Sequence, residues 1–116
     1  MISLLEAKTL NTDEIAWLQK VYRTILRHIP HARLILYGST ARGSRTPESD
    51  YDLIVLTPQP LPPALRDMVR AEIYDIELTH NLVLSILFLD AVEWERLRCW
   101  QHPFWHNVSR EGIVIE

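Results

Sequence analysis

The chain has 116 residues, the size of one ordinary domain. Hydrophobic residues make up 47% of it, enough for a core and too many for a disordered chain. The net charge of −3 and a pI near 5.9 argue against a protein that grips long nucleic acid over a broad basic surface. Arg66, Arg70, Arg96, Arg98 and Arg110 offer only local patches.

No apolar run is long enough to span a bilayer, and the N-terminus lacks a signal peptide's basic start and apolar centre. A cytoplasmic protein is expected. Cys99 is the single cysteine, which excludes an internal disulfide and a thiolate-rich zinc site.

Asn11-Thr12-Asp13-Glu14 reads as a helix start, with Asn11 or Thr12 as the cap and acids in the first turn. Ile15, Leu18, Val21, Tyr22, Ile25 and Leu26 follow at helical spacing, and Pro30 stops the helix. Arg33 to Tyr37 reads as a short strand between Pro30 and Gly38. Thr40 to Arg45 has room for a short helix, and Asp52 to Leu56 is the next strand. Pro58, Pro60, Pro62 and Pro63 make a stiff connection, and Pro63 suits the first turn of a helix through Leu65, Met68, Val69 and Ile73.

Leu82 to Leu89 is almost wholly apolar and reads as a buried strand. Asp90-Ala91-Val92-Glu93 is a capping box for a helix through Trp94, Leu97 and Trp100. Pro103 interrupts it, a last helical segment covers Phe104 to Arg110, and Gly112 ends that segment. The tail Ile113-Val114-Ile115-Glu116 is apolar and looks docked. This order predicts an α/β fold, residues 1–116 forming one domain, with a Gly-Ser turn at the carboxyl end of its strand, where open α/β sheets bind ligands.

The chemistry gathers between Tyr37 and Leu53. Gly38 lets backbone approach a ligand closely, and Ser39 adds a hydroxyl and an amide. With a short helix behind them they make a phosphate cradle. Alone, Gly-Ser is an ordinary turn. Asp50 and Asp52 change that balance. Two apart on a strand, they share a face at a spacing of about 6.6 Å, with Tyr51 turned to the other side. Such a pair can hold one or two hard cations, and Mg²⁺ suits it because it accepts carboxylate, water and phosphate oxygens. An Asp-x-Asp on its own is usually a polar turn. Here it follows a Gly-Ser turn and leads straight into an apolar strand.

Gly38-Ser39, a ten-residue interval, then Asp50-x-Asp52 resembles the signature of the DNA polymerase β-like nucleotidyltransferase superfamily. Gly-Ser-Thr-Ala-Arg-Gly-Ser with Ser-Asp-Tyr-Asp-Leu is similar to its minimal nucleotidyltransferase (MNT) branch, as is the tail from Pro103 to Ile113. The resemblance implies a mixed β-sheet with helices packed mainly on one face. It implies an antitoxin of the HEPN-MNT kind, which uses ATP and Mg²⁺ to add AMP to a tyrosine of a HEPN-domain toxin and so silences that ribonuclease.

Carried over, Gly38 and Ser39 hold the triphosphate, and Asp50 and Asp52 hold the metals. Arg42 touches phosphate or pins the loop through a salt bridge, and Ser49 caps the turn that delivers Asp50 to the nucleotide. Arg45 reads as solvated. The superfamily's third carboxylate comes from a neighbouring strand, where this chain offers Ser85. Glu77 is the expected stand-in as a catalytic acid, ahead of Asp90.

The short length leaves no room for a second, acceptor-gripping domain, so the acceptor is expected to be a partner protein. Trp94 and Phe104 read as core, Trp100 and Trp105 as candidates for an interface. The histidines His28, His31, His80, His102 and His106 read as satisfied or solvated. The rival reading is a non-catalytic module that binds nucleotide and neutralises its partner by direct contact. Transfer to a small molecule or an RNA end is a third option, disfavoured by the acidic balance. Self-association stays open.

Overall fold

A computed structural model of the chain describes residues 1–44, 46 and 50–116. The elements are β1 (Ile2–Ser3), α1 (Thr12–His28), β2 (Arg33–Tyr37), α2 (Gly38–Arg42), β3 (Tyr51–Thr57), α3 (Pro63–His80), β4 (Leu84–Asp90), α4 (Ala91–Cys99), α5 (Pro103–Glu111) and β5 (Ile113–Ile115). A 3₁₀ turn, Leu4–Glu6, follows β1.

The strands form one sheet in the order β1-β5-β2-β3-β4. It is mixed. β2 runs antiparallel to both β3 and β5, whereas β3 and β4 are parallel, as are β1 and β5. The parallel β3–β4 pair needs a crossover, and α3 supplies it.

Alternation along the strands builds two unequal layers. Leu34 and Leu36 of β2 and Tyr51, Leu53 and Val55 of β3 face the long helices. There they meet Trp17, Leu18, Val21 and Ile25 of α1 and Val69, Ile73 and Ile76 of α3, all buried. On the opposite face Ile35, Ile54 and Leu56 meet Val108 of α5, with Tyr37, Leu89, Trp94 and Phe104 packed around them. Trp94 and Phe104 are partly buried against this second core, and Trp100 stands 71% exposed.

The helix starts follow their caps. Asn11 Oδ1 accepts from Glu14 N at 2.8 Å while Glu14 Oε1 accepts from Asn11 N at 3.0 Å. Asp90 and Glu93 repeat the arrangement at α4. Pro63 and Pro103 sit in the first turns of α3 and α5.

One sequence expectation changes and two gain detail. Leu82 to Leu89 is not buried on both faces: β4 is an edge strand of the sheet, with Leu87 exposed on the open face and Val83, just before the strand, exposed as well. The apolar tail is a strand, and β5 sits inside the sheet between β1 and β2 with Ile113 and Ile115 buried. Gly112 does end α5, but with an extended backbone (φ −65°). Glycine is needed there for space, since a Cβ would sit 2.6 Å from the Val108 carbonyl oxygen and 3.0 Å from Ile35 Cγ2.

Candidate active site

The site forms where β2 ends beside the start of β3. Gly38 turns the chain with φ +77°, a left-handed conformation that side chains disfavour. Space forbids one as well. A Cβ on Gly38 would collide with Oδ2 of Asp52 and lie 3.4 Å from its Cγ. Backbone and carboxylate therefore lie in direct contact. Helix α2 begins at this bend, earlier than the sequence suggests, and carries Ser39 in its first turn, half-buried. Gly43, with φ +80°, closes it by donating to the Ser39 and Thr40 carbonyls. Thr9 Oγ1 braces it from behind through the Ala41 carbonyl at 3.2 Å.

Asp52 pairs with Tyr37 across the antiparallel ladder and with Ser85 across the parallel one. It points to the α5 side of the sheet, with Ile54 and Leu56 two and four residues on. Asp50 is exposed on that same side, where Ser85 Oγ donates to its Oδ2 at 3.4 Å. Tyr51, between the two acids, faces the other way. Its ring meets Trp17 edge-on at 4.7 Å.

The electrostatics follow from this crowding. Burial raises the Asp52 carboxyl above the ordinary aspartate value; the charge of Asp50 raises it further, and Arg42 offsets part of the rise. Burial, then the Asp52 charge, pushes the Tyr37 hydroxyl up. A cation between the two acids would relieve this repulsion, so the donor set fits a hard divalent ion. Among the described residues no group of three or more His, Cys, Asp or Glu gathers around a metal position. The remaining ligands would be phosphate oxygens and water, which Mg²⁺ accepts.

Arg42 NH1 binds Glu111 Oε2 at 3.0 Å and so ties α2 to α5. Burial works against the Glu111 charge, but hydrogen bonds from Arg42 and Arg110 outweigh it and hold the carboxyl below its ordinary range. This pinning salt bridge is one of the two roles that the sequence offers for Arg42.

Glu77 departs from expectation. It belongs to α3, which packs on the other face of the sheet. Its Oε2 accepts from Leu84 N at 3.1 Å, at the outer edge of β4. Arg70, also on α3, donates to the Ile86 carbonyl at 3.4 Å and covers the Phe88 ring at 5.2 Å. Glu77 therefore caps the sheet edge and is not brought to the aspartates. Asp90 is no substitute: it caps α4 at the far end of β4, about 16 Å from Ser85 at ~3.3 Å per residue. Ser49 and Arg45 lie outside the described residues.

Sequence reasoning missed Tyr37, Glu111 and Glu14. Tyr37 was within reach, since an antiparallel ladder through Gly38 sets the residue before the glycine opposite Asp52. Glu111 is 69 residues from Arg42 and has no local signal. Glu14 reads from the sequence only as an acid in the first turn of α1, yet its Oε2 also accepts from the Tyr51 hydroxyl at 2.9 Å.

The nucleotidyltransferase domain family matches residues 18–112, and the chain belongs to that family. No curated protein is similar enough in sequence to count as a relative. Among solved structures, the chain is similar to a toxin–antitoxin with AMP-PNP (TM-score 0.59, 18% identity, 85% of this chain and 72% of that one). It is also similar to a mutant MntA-HpeT toxin–antitoxin (TM-score 0.58, 16% identity, 85% and 72% covered). A third is the tri-AMPylated Shewanella oneidensis HEPN toxin in complex with its MNT antitoxin (TM-score 0.53, 16% identity, 87% and 70% covered). At these identities the likeness shows the fold, which is that of the MNT antitoxin structures.

Proposed function

We propose that this chain is a cytoplasmic antitoxin that transfers AMP from ATP to a hydroxyl of a partner HEPN-domain toxin. The observation that carries the proposal is the contact between the Gly38 bend and the Asp52 carboxylate, with Asp50 on the same face. A phosphate chain seated on the Gly38-Ser39 backbone lies against both acids. Two neighbours in fold support the partner class: one is a complex with AMP-PNP, and the other holds an AMPylated HEPN toxin.

In this reading Gly38 and the Ser39 amide and hydroxyl hold the triphosphate, and Asp50 and Asp52 hold Mg²⁺. Bound Mg²⁺ neutralises phosphate charge and favours loss of the acceptor's proton. The acceptor hydroxyl gives its proton to solvent, its oxygen bonds to the α-phosphorus, the bond from that phosphorus to the oxygen bridging the β-phosphate breaks, and pyrophosphate leaves. Arg42 acts indirectly, by fixing α2 to α5 through Glu111. The open face beside Ser85 admits a macromolecular acceptor.

One observation favours a second reading. With Glu77 at the sheet edge and Ser85 opposite Asp52, no third acid joins the pair among the described residues. A module that binds nucleotide and masks its partner by contact needs no such acid.

The chain, α-labelled ATP, Mg²⁺ and the partner toxin separate the two. AMP transfer is expected to fall at least about 100-fold in Asp50→Asn and in Asp52→Asn, equivalent to ~2.7 kcal/mol of barrier, and to persist in Glu77→Gln. A partner that is never labelled, yet is neutralised at equal dose by the double Asp→Asn variant, would establish the masking reading.

A further inference from the structure

We propose that Tyr51 and Glu14 are positioning residues for the aspartate pair, acting from the opposite face of the sheet. The inference rests on the reading of Asp50 and Asp52 as the metal-holding acids. Asp50 lies just outside β3 and Asp52 just inside it, so the pair straddles the point where the strand begins. Asp50 and Asp52 carry like charges on one face of the strand, two residues apart, and push each other apart. Something must hold the backbone against the repulsion.

One residue separates the acids, and its side chain is fastened at several points. The Tyr51 ring is buried and packed edge-on against Trp17 at 4.7 Å. Its backbone N–H donates to the Val83 carbonyl at 3.1 Å. Its hydroxyl donates to Glu14 Oε2 at 2.9 Å. Glu14 is itself immobilised, because its other oxygen accepts from Asn11 N and its own N–H donates to Asn11 Oδ1. The helix cap of α1 thus extends through one carboxylate to the strand residue between the two acids.

The hydroxyl is not required by packing. A phenyl ring would make the same contact with Trp17. The Tyr51–Glu14 bond borders an open polar cleft of about 470 Å³, lined also by Asn11, Asp13 and His80. Water there would solvate either group alone. What the bond adds is a fixed reference between α1 and the first residue of β3. Groups hydrogen-bonded directly to a metal ligand change metal affinity or activity by about 10- to 100-fold when removed, and a tie acting through the backbone belongs at the low end of that range.

The test is Mn²⁺ binding by the full chain, followed by water-proton relaxation. Amide hydrogen exchange of the metal-free protein is read alongside. Tyr51→Phe and Glu14→Ala are each expected to weaken Mn²⁺ about 10-fold. Glu14→Gln, which keeps a hydrogen-bonding partner for Tyr51, is expected to stay near the wild type. The Tyr51→Phe, Glu14→Ala double variant is expected to be no worse than either single change, because both remove one link. In metal-free Tyr51→Phe, exchange is expected to quicken at residues 50–52 and not in α3 or β5, which a general loss of stability would not reproduce. Unchanged Mn²⁺ binding in Tyr51→Phe, or losses that add in full, overturns the inference. If Asp52→Asn loses Mn²⁺ while Tyr51→Phe keeps it, the inference falls and the metal pair stands. If the wild type takes no Mn²⁺, the metal pair falls and the inference falls with it.

Discussion

The two faces of β3 show how one strand divides its work. On the α1–α3 side, Tyr51, Leu53 and Val55 are buried under two helices of 17 and 18 residues. On the other side, Ile54 and Leu56 meet two helices of nine residues each, and that cover stops short of Asp50 and Asp52. The first face secures the sheet, and the second leaves charge within reach of solvent beside a glycine bend. A strand with period-two alternation can do both because adjacent residues never share a layer.

The contrast is sharpest in stability. Leu53→Ala is expected to cost about 3 kcal/mol in urea denaturation, since it opens a cavity in the thick layer. Leu87→Ala, on the open face of the neighbouring strand and 40% exposed, is expected to cost less than about 1 kcal/mol. Equal costs would mean that the two layers are energetically alike.

Gly38→Ala joins both faces in one substitution. The left-handed backbone is expected to cost about 1–2 kcal/mol. The new methyl also displaces the Asp52 carboxylate, so nucleotide binding measured by calorimetry is expected to fall by more than the stability loss explains. Retained nucleotide affinity would show that the contact between bend and acid is incidental.

The smallest effect is that of pH. The Asp52 carboxyl is raised above its unfolded value, so in the window from the ordinary aspartate value up to the raised one the folded state binds the extra proton. Its contribution to stability therefore declines as pH rises through that window. Glu111 has the opposite sign. Its lowered carboxyl stabilises the fold above the unfolded value, and that stability is lost as pH falls through the folded one. Carbon-detected NMR titration is expected to place the Asp52 midpoint above the ordinary value, and lower again in Asp50→Asn. A midpoint unmoved by Asp50→Asn would remove the repulsion between the acids.

Much of this arrangement is legible in the sequence because it is local. The caps at Asn11 and Asp90, the proline starts of α3 and α5, and the turn of Tyr51 away from its acidic neighbours all follow from residues within four positions. What escaped depends on distance along the chain. β5 is three residues long, too short for any period, and is a strand because β2 lies beside it. β4 is apolar at nearly every position, which conceals that one of its faces is open. Glu77 looks well placed seven residues before Leu84, and only the packing of α3 shows that it reaches the wrong side of the sheet. The partner of Arg42 lies near the far end of the chain.

The capped margin of β4 sets the terms on which another protein can approach. Bare strand edges invite neighbours to add strands of their own, and isolated sheets aggregate in that way. Here Glu77 and Arg70 occupy the outward amide of Leu84 and the outward carbonyl of Ile86. A visiting strand would have to displace both side chains before it could pair along that stretch.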